Sequence, residues 1–228
     1  MALDLSLGQF YGIDSIIEFL AMLVSFQIAY YSNRVYKIIK SRNYRFLSTG
    51  FLFVGVAFLA KIIANLTILG RIQVEDLHFL THVFTEISSS VGLVYFFSYS
   101  IYKLLYLVGF MFVFFMTTEL KNKENIFMYL YLGAIAVLFS IYFNALFHLT
   151  LIITLALLTL GFYENYRKRK TKSAGLVFSA FLIMTLGHVA LLFSENLPSL
   201  YIIGEFVLLV GFSALLLNQV RIKNESKS

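Results

Sequence analysis

The chain has 228 residues, of which 60% are hydrophobic and 18% aromatic, with a mean hydropathy of +0.83 and a formal net charge of +6. A soluble domain of this length could not bury so much apolar surface, which excludes an ordinary soluble enzyme and makes a lipid bilayer the expected solvent. The absence of cysteine excludes disulfides, thiolate metal sites and thiol catalysis. We therefore expect an all-α, polytopic transmembrane helical bundle, with residues 1–228 in a single integral membrane domain.

Eight apolar segments follow one another along the chain, and each is a candidate transmembrane helix. The first carries acidic residues instead of a basic region and has no small-residue cleavage site after it, so we interpret it as a retained helix and not as a signal peptide. The eight segments lie at about 10–32, 46–69, 77–99, 100–118, 126–142, 144–165, 173–193 and 199–219.

The positions of the basic residues determine how many of these segments cross. Lysine and arginine concentrate in cytoplasmic loops, and the basic loops of this chain fall on one side only if one of the eight segments does not cross. The sequence therefore predicts seven spans, with the N-terminus outside and the C-terminus inside. The residues that then share the cytoplasmic side are Arg34, Lys37, Lys40, Arg42, Arg45, Arg167, Lys168, Arg169, Lys170, Lys172 and the basic residues of the C-terminal tail.

The most polar candidate is the one expected not to cross. We expect residues 76–90 to form an outer amphipathic or re-entrant helix that leads into a long span at about 91–118. The alternative keeps 77–99 as a span and removes 126–142 from the membrane.

A weak internal similarity is also present in the sequence. Glu86 is followed six residues later by Gly92, and Glu205 is followed six residues later by Gly211. Such a similarity is typical of duplicated units, here two three-helix units joined by a linker helix.

Eight polar or ionisable residues lie within apolar segments, where they are costly and by default indicate a functional site. Counting along each helix places Lys103 near the middle of the membrane and the other seven in its outer half. We therefore expect an outward-facing polar pocket between the helices that binds a small ligand or ion, although interhelical ion pairs that only fix helix register would give the same pattern. The eight residues are Glu18, Lys61, Asn65, Lys103, Asn144, His148, His188 and Glu205.

A metal site is the second candidate. His78, His82 and Glu86 are spaced four residues apart, so a helix would present all three on one face, and imidazole and carboxylate are ligands that zinc accepts. The glutamate that follows the first histidine in the zincin signature is missing here. The alternative is an interfacial helix with its imidazoles at the level of the lipid headgroups.

Two other cofactors are not expected. The last segment, 199–219, contains no lysine, so it cannot hold retinal as a Schiff base. Haem is not expected either, because no attachment motif and no second histidine pair at a matching depth accompanies His148 and His188.

The leading hypothesis is a sensor or transport module in the plasma or inner membrane, whose partners are the lipid bilayer and a small molecule or ion. The first alternative is a metal-dependent membrane hydrolase that uses His78, His82 and either Glu86 or His188 to hold zinc. The second is a non-catalytic subunit that packs on a membrane partner or on another copy of itself. A nucleic-acid partner is not expected, because the basic residues flank apolar spans, where they orient the protein.

Overall fold

The computed structural model describes residues 13–75, 81–117, 131, 133–140 and 144–225, and it describes side chains at 15–67, 92–117, 131, 133–140 and 144–221. Within these ranges the chain is helical and contains no strand. The helices are α1 (Ile13–Ile39), α2 (Arg42–Glu75), α3 (Thr81–Thr117), α4 (133–139), α5 (Asn144–Arg169), α6 (Lys172–Leu192) and α7 (Ser199–Glu225).

In the described part of the chain, six helices are long and apolar enough to cross a membrane. Large apolar side chains on their outer faces are exposed, including Leu20, Leu186 and Leu217, as expected for surfaces in contact with lipid. This confirms the prediction of a polytopic helical membrane protein. The six apolar stretches are Ser15–Ile39, Arg42–Thr67, Gly92–Thr117, Asn144–Arg169, Lys172–Leu192 and Ser199–Arg221.

The third helix differs from the prediction at one point. Residues 81–117 form one unbroken helix of 37 residues, so the helix expected at 76–90 does not end before the span, and 77–99 and 100–118 are not two separate spans. Neither glycine nor proline lies near residue 100 to end the helix there. Its apolar part, Gly92–Thr117, agrees with the predicted long span, and residues 76–80 lie outside the described residues.

Side-chain contacts give the direction of each helix. Lys61, near the end of the apolar part of α2, contacts Glu18 near the start of α1 and Glu205 near the start of α7. The start of α5 contacts the end of α6 through His148 and His188. We call this the polar end of the bundle; the opposite end, where the loops 40–41 and 170–171 lie, is the basic end.

The short helix α4 packs against α3 in the opposite direction. A methyl group placed on Gly133 would contact Leu107 and Met111, whereas Ser140, seven residues later, contacts Lys103. α3 ends at the basic end and α5 begins at the polar end. Residues 133–140 therefore run along α3 from the basic end towards the polar end.

The two hairpins at the basic end have the same geometry. In each, a lysine that follows the first helix has a positive φ, 57° at Lys40 and 50° at Lys170, and its amide donates to the carbonyl oxygen of a tyrosine four residues earlier. This backbone conformation is a common way to end a helix and reverse the chain within two residues. The two lysines are separated by 130 positions.

Candidate functional site

A buried ionic cluster joins three helices at the polar end. The ammonium of Lys61 lies 2.8 Å from Oε1 of Glu18 and 2.6 Å from Oε1 of Glu205. The side chains of the three residues are 5%, 0% and 3% exposed, respectively. Lys61 is therefore an ammonium held between two carboxylates, with almost no water to screen the charges.

Asn65, one helical turn after Lys61, completes this cluster. Its side-chain amide lies 3.0 Å and 2.9 Å from the two carboxylate oxygens of Glu18. Glu18 thus accepts from both an ammonium and an amide of α2, which holds it as a carboxylate beside that helix. The charge cluster, defined as Glu18, Lys61, Asn65 and Glu205, contains two carboxylates and one ammonium, so its formal charge is −1.

Aromatic rings surround the ammonium. Its nitrogen lies 5.3 Å from the ring centroid of Tyr102 and 5.6 Å from that of Tyr201, within the range of cation–π attraction. These tyrosines are not among the eight site residues expected from the sequence. The spacing of tyrosines in α3 could have located this aromatic surface from the sequence. Tyrosines follow one another at intervals of four, three and four residues, at positions 95, 99, 102 and 106, and so lie on one helix face.

A chain of neutral hydrogen-bonding groups lies beside the charge cluster. Nδ1 of His148 and Nδ1 of His188 are 3.3 Å apart, and Nε2 of His188 is 3.3 Å from the hydroxyl oxygen of Tyr106. Two facing imidazole nitrogens bond only if one carries a proton and the other does not, so the two rings have different tautomers. We call these three residues the histidine chain; it joins α3, α5 and α6.

The structure does not bring Lys103 to the carboxylates of the charge cluster. Its ammonium donates to the carbonyl oxygen of Ser140 at 3.0 Å, lies 4.7 Å from the ring centroid of Tyr99, and interacts electrostatically with Glu195. Lys103 is buried, and it occupies a separate aromatic and carbonyl environment. It therefore does not cancel the charge of the cluster.

Asn144 is also separate from the cluster. Its side-chain oxygen is buried and has no hydrogen-bond partner within the described structure. Glu18, Lys61 and Glu205, by contrast, are in contact and enclosed, whereas the sequence predicted a pocket that opens outward. The difference has a physical reason: opposite charges away from water approach one another instead of lining an open cavity.

The predicted metal ligands lie largely outside the described residues. His78 is not described, and of His82 and Glu86 only the backbone is, as part of α3. Among the described side chains, no group of three histidine or acidic residues could hold a metal ion. His188 contacts Tyr106, which is about 36 Å along α3 from residue 82, so His188 lies far from the backbone of that residue.

Apolar helices around buried charges and hydrogen-bonded histidines define the class of the protein, which is a multi-pass helical membrane protein. Comparison with protein family models, with curated proteins and with solved structures found no match. The function must therefore be argued from the charge cluster and the histidine chain themselves.

Proposed function

We propose that the charge cluster binds a small ion and that the protein acts as a transport or sensor module of the membrane. The observation that carries this proposal is the single ammonium of Lys61 between the carboxylates of Glu18 and Glu205, all three buried. One carboxylate would be enough to neutralise the charge of Lys61. The second leaves a net negative charge inside the bundle.

Among the described side chains, the cluster has one more carboxylate than ammonium groups. Excess charge in an apolar interior is costly, and a positive ligand at this cluster would reduce that cost. The aromatic rings of Tyr102 and Tyr201 favour positive charge at the same place, since their faces carry negative potential. A small cation is therefore the ligand that the electrostatics favour.

The proposal includes the topology: one integral membrane domain in the plasma or inner membrane, with seven spans, the N-terminus outside and the C-terminus inside. Two observations support it. Residues 133–140 run along α3 in the direction opposite to it, as a seventh span between α3 and α5 would. The hairpin loops at 40–41 and 170–171 lie at the same end, and the helix ends that flank them are rich in lysine and arginine, which by the positive-inside rule makes this end cytoplasmic.

The test is ion-dependent stability of the purified protein in detergent. Thermal unfolding is followed by circular dichroism in sodium, potassium and lithium chloride and at a series of pH values. We expect the melting temperature to respond to at least one of these ions, protons included, because a ligand that binds only the folded state stabilises it. Glu205→Gln should abolish this response.

The matched control is Glu164→Gln, which makes the same chemical change at an exposed position of α5. This variant should respond as the unsubstituted protein does. A melting temperature whose dependence on every ion is the same in the unsubstituted protein and in Glu205→Gln would contradict the proposal.

A further inference from the structure

The third and seventh helices repeat one another in sequence. The tetrapeptide Leu-Val-Gly-Phe occurs at 107–110 in α3 and again at 209–212 in α7. In the same register, Lys103 of α3 matches Glu205 of α7. A four-residue identity at equivalent depths of two apolar helices indicates that the helices are copies of one element.

The two copies of the glycine also pack in the same way. A methyl group placed on Gly109 would lie 2.7 Å from the side chain of Val54 in α2, and one placed on Gly211 would lie 2.6 Å from the side chain of Met184 in α6. Val54 and Met184 are 130 positions apart, the same separation as the two lysines of the hairpins. The pair α2 and α3 and the pair α6 and α7 therefore approach closely at equivalent positions.

These equivalences divide the bundle into a first unit, α1–α3, and a second unit, α5–α7, joined by the region of α4. The equivalent rings of Phe110 and Phe212 contact each other, with centroids 6.4 Å apart, as equivalent residues do at a two-fold axis. Both units begin at the polar end, so the axis runs along the bundle. Parallel repeats of this kind occur in membrane transporters, which place their sites where the repeats meet.

The charge cluster lies on the boundary between the units. Glu18, Lys61 and Asn65 belong to the first unit, and Glu205 is the member that the second unit contributes. Glu18 can therefore neutralise Lys61 within one unit, without Glu205. The contact between Lys61 and Glu205 is the part of the cluster that can open without leaving an unpaired ammonium.

We propose that the protein is a carrier built from two copies of a three-helix unit, and that Glu205 takes up the transported ion, a proton; this rests on the proposed ion-binding function. A proton from water binds a carboxylate oxygen of Glu205 and cancels its charge. The ionic contact with Lys61 is lost, Lys61 stays paired with Glu18, and the units separate at this boundary. The proton then dissociates to water on the other side and the contact forms again.

The surroundings of Glu205 favour a proton over a metal ion. Metal cations such as calcium and magnesium are bound by several oxygen ligands, whereas a proton needs one. The only other carboxylate in the cluster, Glu18, already accepts from Lys61 and Asn65. Within the described side chains, the charged and titratable groups around the contact are Glu18 of α1, Lys61 of α2, Tyr99, Tyr102 and Tyr106 of α3, His148 of α5, His188 of α6 and Tyr201 of α7.

The first arm of the test measures proton flux into liposomes that contain the full chain, with a pH-sensitive dye inside and valinomycin to clamp the potential with potassium. We expect flux above that of empty liposomes, and flux at the level of empty liposomes for Glu205→Gln. Glu164→Gln should keep the flux of the unsubstituted protein, because this glutamate is exposed and lies outside the cluster.

The second arm tests movement between the units, and the absence of cysteine makes engineered pairs specific. Thr117→Cys with Gly161→Cys would link α3 of the first unit to α5 of the second at the basic end, since a methyl group placed on Gly161 would lie 3.2 Å from Cβ of Thr117. Oxidation should stop the flux and reduction should restore it. The control, Thr159→Cys with Thr185→Cys, links α5 to α6 within one unit, where the two hydroxyl oxygens are 3.3 Å apart, and should leave the flux unchanged.

The outcomes separate this inference from the proposed function. An ion-dependent melting temperature without proton flux would overturn the carrier and leave the ion site, as would flux of sodium or potassium in place of protons. Flux that persists after the boundary disulfide has formed would overturn the two-unit movement. A melting temperature that responds to no ion, together with no flux, would contradict both.

Discussion

The charge cluster and the histidine chain occupy matching places in the two units but use different chemistry. Glu18 of α1 and His148 of α5 are equivalent positions, 130 residues apart. The charge cluster combines the first two helices of the first unit with α7, and the histidine chain combines the first two helices of the second unit with α3. The two units are thus joined by an ionic contact between α2 and α7 and by a neutral contact between α3 and α6.

The two regions differ in the interactions that are lost when one of their side chains is removed. In the charge cluster, distances of 2.6 and 2.8 Å join ionised groups, and removal of the ammonium leaves two carboxylates facing each other. In the histidine chain, distances of 3.3 Å join neutral groups, and removal of one hydroxyl leaves only an unpaired nitrogen. Substitutions in the cluster should therefore cost much more than substitutions in the chain.

The largest effect is expected for Lys61→Met. It removes the only cation of the cluster, and breaking a buried ion pair by removing one partner costs about 3–5 kcal/mol. The measurement is the free energy of unfolding in mixed detergent micelles. Lys168→Met, at an exposed position of α5, is the control and should cost much less. Equal losses in the two variants would show that the cluster is not buried as described.

A smaller effect is expected for Asn65→Ala. This change removes the amide that bonds both oxygens of Glu18, and hydrogen bonds to charged groups contribute about 1.5–3 kcal/mol. Asn218→Ala is the matched control, because Asn218 is also buried but its side-chain oxygen has no partner within the described structure. The unfolding free energy should fall more for Asn65→Ala; the reverse order would contradict the assignment of Glu18 as an ionised acceptor.

The smallest effect is expected for Tyr106→Phe in the histidine chain. It deletes one hydroxyl that bonds His188, and a neutral hydrogen bond contributes about 0.5–1.5 kcal/mol. Tyr163→Phe, which is 41% exposed, serves as the control. If Tyr106→Phe cost as much as Lys61→Met, the contrast between an ionic and a neutral boundary would be wrong.

The sequence predicted the parts of the fold that depend on local patterns. Apolar length located the helices, and a count of residues from helix ends placed Glu18, Lys61 and Glu205 at similar depths. Their mutual contact depends on which helices are neighbours, and residues 144 positions apart give no local signal of this. The same limit applied to Lys103, whose acceptor is a backbone carbonyl that no side-chain pattern reveals.

The segment 205–211 of α7 can be aligned with α3 in two different registers. The sequence analysis compared 86–92 with 205–211 because both contain a glutamate followed by a glycine. By the equivalence proposed for α3 and α7, the counterpart of 205–211 is 103–109, where the glycine is kept and the charge is reversed. Close packing preserves the glycine, because a larger residue would collide with the neighbouring helix, whereas the polar position is free to change.

The central claim is that Lys61 and Glu205 form one electrostatic unit, and a double-mutant cycle tests it most directly. The cycle compares the unfolding free energies of Lys61→Met, Glu205→Gln and the double variant. We expect Glu205→Gln to favour stability more when Lys61 is absent, where it removes one of two neighbouring carboxylates, than when Lys61 is present, where it also removes a partner of the ammonium. The coupling should be about 0.5–3 kcal/mol, as for residues in contact. Additive effects, with the same change in stability for Glu205→Gln in both backgrounds, would contradict the account.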